Sequence, residues 1–146
     1  MSSLNDLYQQ LIIDHSRDPY GRVSLFDAAA FTGESFQVNP VCGDQIRLRV
    51  VTETTNAAPQ LKTVRWEGRG CAISQAAASM MSELVEGKTL EQAANLEAQF
   101  VQLMHSRGAE LPDSTAAALG DAMAFAGVSQ YPARVKCALL GWMALR

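Results

Sequence analysis

Hydrophobicity changes its period partway along this chain, and that change limits the folds open to it. Ile46, Leu48, Val50 and Thr52 alternate with Arg47, Arg49, Val51 and Glu53, the two-residue period of a strand with one face on a core. Val64 and Trp66 continue it, with Thr63 and Arg65 on the other face. Thr54 to Pro59 reads as a turn, so an antiparallel hairpin is the simplest pairing. A short strand around Ser35 to Val38 would be a third. After Gly70 the apolar residues Ile73, Ala77, Met80 and Leu84 recur at helical spacing, and Gly87 ends the run. A sheet with one face to bury, followed by helices, predicts an α+β fold: a small antiparallel three-stranded sheet covered by several helices.

The flanking segments supply more helices. Leu4, Leu7, Tyr8, Leu11 and Ile12 form one apolar stripe. Ser3 and Asp6 suit its start, and its end falls near Asp14–His15. Arg22 to Gly33 has poor periodicity. Leu90–Asn95, Ala98–Ser106 and Asp113–Phe125 read as helical, broken by Gly108 and Pro112. A last helix begins near Pro132, with Val135, Ala138, Leu139 and Trp142 facing the core. No repeat or linker interrupts residues 1–146, which read as one domain. At 48% hydrophobic and 18% charged residues, the chain can build a packed core. A net charge of −3 gives no general attraction to nucleic acid or an anionic membrane. No apolar run spans a bilayer, and the first residues lack a secretory signal. The expected home is the cytoplasm, where thiols stay reduced.

There the three cysteines become informative. An odd number in a reducing compartment is not a disulfide framework. Each alone could be a small core residue. Cys42 lies in the loop Val41-Cys42-Gly43-Asp44, where Gly43 permits a tight turn and a Cys and an Asp two apart can reach one ion. Cys71 ends Gly68-Arg69-Gly70-Cys71, where a strand passes into a helix whose N-terminus favours a thiolate. Cys137 lies one turn into the last helix and shares a face with Arg134 and Gly141, away from the apolar stripe. Cys42, Asp44, Cys71 and Cys137 are donors of the types that tetrahedral zinc takes. No C-x-x-C knuckle is present, so separate thiols remain the alternative. His15 and His105 read as structural or exposed residues, and Met80, Met81 and Met104 as core. Arg47, Arg49, Arg65 and Arg69 form either a basic surface or a solvated strand face.

Three ordered motifs carry a family resemblance over nearly the whole chain. Asn39-Pro40-Val41-Cys42-Gly43-Asp44, Gly68-Arg69-Gly70-Cys71-Ala72-Ile73-Ser74 and Pro132-Ala133-Arg134-Val135-Lys136-Cys137 resemble those of the U-type iron–sulfur assembly proteins. Leu7-Tyr8 and Asp14-His15 also fit. The IscU branch, a scaffold for clusters, typically carries a His before its last Cys, where this chain has Lys136. The SufU branch lacks that His and has an insertion between the second and third cysteine motifs, which the long helical stretch before Cys137 matches. The chain therefore looks like the SufU branch.

That resemblance implies a single SufU/IscU-like domain and a zinc ion on Cys42, Asp44, Cys71 and Cys137. It implies a sulfurtransferase that accepts persulfide sulfur on Cys42 from a SufS-type, pyridoxal-phosphate-dependent cysteine desulfurase. In the family, a desulfurase histidine can replace that Cys on the metal. The sulfur then passes to the downstream Suf cluster-assembly machinery. Arg134, one turn from Cys137, is placed to stabilise a thiolate or to contact the desulfurase. Two alternatives stay open: a scaffold that binds a nascent iron–sulfur cluster through the same thiolates, and an adaptor in which zinc only stabilises the fold.

Overall fold

The computed structural model describes residues 3–22, 33–39, 43–55, 58–106 and 113–145. Helix α1 (Ser3–Arg17) leads to strands β1 (Gly33–Asn39), β2 (Asp44–Thr55) and β3 (Ala58–Arg69). Helices α2 (Ala72–Val85), α3 (Leu90–Met104) and α4 (Asp113–Leu119) follow, then a 3-10 segment, Gly120–Gln130, and α5 (Pro132–Leu145). The strands form one antiparallel sheet in the order β1-β2-β3. This is the α+β arrangement expected from the change of period.

Ile46, Leu48, Val64 and Trp66 are buried on the inner face. Arg47 and Arg49 lie on the outer face and pair with Glu34 of β1. Their charge is thus engaged in ion pairs across the strands. β2 and β3 pair out to Thr55 and Ala58, so most of the stretch expected as a turn is strand. Residues 56 and 57 lie outside the described residues.

The inner face is covered by α2 and α5, which also pack on each other, and α1 packs behind α2. Both covering helices are enclosed on more than one side. In α2, Ala76, Ala77, Ala78, Ser79, Met80, Met81 and Ser82 are all buried. Small residues let the helix sit between sheet, α1 and α5. In α5 the expected stripe is too narrow. Cys137 is buried, and a Cβ on Gly141 would stand 3.2 Å from the Ala78 Cα. The Cys137–Gly141 face therefore packs on α2, which corrects its placement away from the core.

Residues 90–104 form one helix where two were expected. It is started by a capping box in which Thr89 and Gln92 each accept the other's backbone N–H. The expected helix over Asp113–Phe125 stops at Leu119, where Gly120 takes φ 53°. Phe100 stacks on Trp142 at 5.0 Å and meets Phe125 edge-on at 5.9 Å, joining α3, α5 and the 3-10 segment. Met80, Met81 and Met104 are core residues, as expected. Leu7, expected on the apolar stripe of α1, is 56% exposed.

Candidate metal centre

Three pieces of backbone converge at one end of the sheet. Gly43, with φ 77°, turns the chain into β2, and Asp44 is the first residue of that strand, opposite Asn39. Its neighbour Gln45 pairs with Arg69, the last residue of β3. Gly70 then leads directly to Cys71, the N-cap of α2. The hairpin register therefore sets Asp44 beside the start of that helix.

The contacts follow from this placement. Asp44 is buried, and its Oδ1 accepts the Cys71 N–H at 3.1 Å. The Cys71 thiol makes no capping bond. Its Sγ lies 3.5 Å from Asp44 Oδ2 and 3.9 Å from Ser74 Oγ. The Ser74 hydroxyl donates to the Cys71 carbonyl at 3.0 Å. Helix α5 brings in Cys137 at 4% exposure. Neither Cys71 nor Cys137 forms a disulfide. One ligand atom from each of Asp44, Cys71 and Cys137 lies within 4.8 Å of the others.

These donors fit a metal ion. With Zn–S near 2.3 Å and Zn–O near 2.0 Å, a tetrahedral site sets S and O about 3.5 Å apart and two sulfurs about 3.8 Å apart. The Cys71–Asp44 separation of 3.5 Å matches the first of these edges. Chemistry points the same way, because a buried carboxylate beside two cysteine thiols offers donors that a bound cation would hold in their anionic form.

Of the residues singled out in the sequence, the structure thus brings together Asp44, Cys71 and Cys137. Cys42 lies outside the described residues. Arg134 is exposed in the first turn of α5, three residues before Cys137. His15 is engaged elsewhere, with Nδ1 2.6 Å from Ser79 Oγ of α2. His105 caps the C-terminus of α3. Sequence reasoning missed Ser74, whose spacing of three from the helix N-cap was the available signal.

The NifU-like N terminal domain family matches this chain over residues 7–138. The chain belongs to that family. Among the family's relatives, the zinc-dependent sulfurtransferase SufU of Bacillus subtilis is 39% identical, over 99% of this chain and 90% of the relative. The iron–sulfur cluster assembly scaffold protein IscU of Streptococcus pyogenes is 36% identical, over 100% and 84%. The fold is also that of a candidate cluster-assembly scaffold for the SUF system from Fervidobacterium islandicum. That likeness has a TM-score of 0.75 and 30% identity, covering 99% of this chain and 96% of the other. Among the described residues of this NifU-like chain, no helix is long and apolar enough to cross a membrane.

Proposed function

We propose that this protein is a zinc-dependent sulfurtransferase of iron–sulfur cluster assembly, acting in the cytoplasm as one domain across residues 1–146. The observation that carries the reading is the meeting of Asp44, Cys71 and Cys137 at ligand distance. Likeness to a SufU over nearly the whole chain supports it.

In this reading Cys42, Asp44, Cys71 and Cys137 hold the ion. Bound zinc keeps its thiols deprotonated while blunting their nucleophilicity. Asp44 and Cys71 are fixed to each other through the Cys71 amide, and Cys137 is fixed by the α5–α2 packing. These three suit ligands that stay. Cys42 is the acceptor. Its thiolate attacks the outer sulfur of a cysteine persulfide on a SufS-type desulfurase. The new sulfur–sulfur bond forms on Cys42, the enzyme's own sulfur–sulfur bond breaks, and the enzyme cysteine leaves as thiolate. Arg134, exposed beside the first turn of α5, supplies a cation for the incoming partner or the developing thiolate. The hard carbon–sulfur chemistry belongs to the partner's pyridoxal phosphate. The sulfur then goes to the Suf cluster-assembly machinery.

The test is desulfurase turnover with cysteine and a SufS-type partner, comparing wild type with Cys42→Ala at known zinc content. Strong stimulation by the wild type, lost in the variant, is expected. Equal stimulation by both would point to an adaptor. Stimulation by neither would favour a cluster scaffold, the second reading, which the likeness to an IscU over the full chain supports. A scaffold would instead yield a coloured cluster transferable to an acceptor protein.

A further inference from the structure

Gly70 separates the last residue of β3 from the helix N-cap, and its backbone does not adopt positive φ. Conformational freedom therefore does not explain a glycine here. Space does. A Cβ on Gly70 would stand 2.5 Å from Ser74 Oγ, 2.7 Å from Asp44 Cγ and 2.7 Å from Asp44 Oδ1. All three distances are shorter than side chains tolerate, so even one methyl group forces a displacement.

Both side chains that the methyl would meet are enclosed. Asp44 is 3% exposed and Ser74 is 7% exposed. Ser74 stands on the first turn of α2 with its hydroxyl on the Cys71 carbonyl. Asp44 meets the added methyl with two atoms, including the oxygen that accepts the Cys71 N–H. Turning the carboxylate away from Gly70 breaks that bond and carries Oδ2 off the Cys71 sulfur.

We propose that Gly70 is a positioning residue: its missing side chain is the space that holds the Asp44 carboxylate on the metal. The proposal rests on the reading of Asp44, Cys71 and Cys137 as metal ligands. It adds that the aspartate's place in the ligand set is enforced sterically from the strand-to-helix junction. Any side chain at position 70 then acts as a remote deletion of Asp44.

The test compares Gly70→Ala, Asp44→Ala and the double variant. Zinc affinity is measured by competition with a chromophoric chelator, and the ligand set by cobalt substitution and visible absorption. Gly70→Ala should lose about 10- to 100-fold in zinc affinity, as loss of a ligand's outer-shell support typically does, and Asp44→Ala, which deletes the ligand itself, at least as much. Both should show the same shift of the cobalt bands, with thiolate-to-cobalt charge transfer retained. The double variant should bind no more weakly than Asp44→Ala alone, because both substitutions remove one interaction. A wild-type cobalt spectrum in Gly70→Ala, or losses that add in the double variant, would overturn the proposal. If Gly70→Ala alone does not fold, combining it with Asp44→Ala and Ser74→Ala should restore folding, since both side chains that the methyl meets are then out of the way. A triple variant that also fails to fold places the role of Gly70 elsewhere. A wild type that binds neither metal, or an Asp44→Ala indistinguishable from it, would instead overturn the metal reading and the proposal with it.

Discussion

Glu86, just past the end of α2, is pulled in opposite directions by its surroundings. Partial burial pushes its carboxyl up, but the Tyr20 hydroxyl, the Val64 N–H and the Arg65 guanidinium all donate to it, and together they hold it below its ordinary value of 4.5. The same bond from Tyr20 to Glu86, followed by burial, raises the Tyr20 hydroxyl. A carboxyl with a depressed folded-state value stabilises the fold above its unfolded-state value. That contribution is lost as pH falls through the folded-state value. Glu86→Gln should therefore cost about 1 kcal/mol at neutral pH, the worth of roughly 1.5–3 kcal/mol for hydrogen bonds to a charged group reduced by solvent screening at this partly exposed site. The gap to wild type should close as pH falls below 4.5. Denaturant titrations at pH 7 and pH 3 check this, and a gap that stays constant would show that the charge of Glu86 is irrelevant.

At the scale of elements, Glu86 belongs to a device that closes the outer edge of β3. Besides the Glu86 bond to Val64, the Trp66 N–H donates to Gly21, the Leu61 N–H donates to Lys88, and the Leu61 carbonyl accepts from Gly87. The segments after α1 and after α2 thus cover an edge that would otherwise offer unpaired groups. The sequence carried the hairpin, because alternation at Ile46, Leu48, Val64 and Trp66 reports burial directly. It did not carry Leu61, which is buried although two-residue alternation from Val64 puts it outside. The register shift near Val51/Thr52 pairs Thr52 with Leu61 and skips Lys62, which reverses the alternation. Nor did it carry the full burial of α2 and α5, since a one-sided stripe cannot show a helix packed on several neighbours. Long-range packing also places Phe100, whose ring lies between Phe125 and Trp142 at 1% exposure. Phe100→Ala should cost about 3–5 kcal/mol by leaving a cavity that three elements line. Thermal unfolding measures it, and a loss under 1 kcal/mol would mean that the neighbours collapse into the space.

Across the whole molecule, the candidate centre joins residues at positions 44, 71 and 137. Sequence motifs supplied the chemical types and the local settings: a turn before Asp44, a helix start at Cys71, a position one turn into the last helix at Cys137. They could not supply mutual distance, which depends on the β2–β3 register and on α5 packing against α2. They also could not show that Asp44 is buried and tied to the Cys71 amide. Because the donors come from β2, α2 and α5, an ion held by them bridges the start of the sheet to both covering helices. A ligand that binds only the folded chain stabilises it by mass action, by about 4 kcal/mol at a thousandfold excess over its dissociation constant. Removing zinc with a chelator should therefore lower the melting temperature, and adding zinc back should restore it. Cys137→Ala separates this from a nonspecific effect of the chelator. It removes one ligand, so its melting temperature should be lower than that of wild type with zinc and should respond far less to zinc or chelator. A zinc response of wild-type size in that variant would mean that the stabilising ion sits elsewhere. No zinc response in the wild type would leave the buried carboxylate and thiols to be explained by their hydrogen bonds alone.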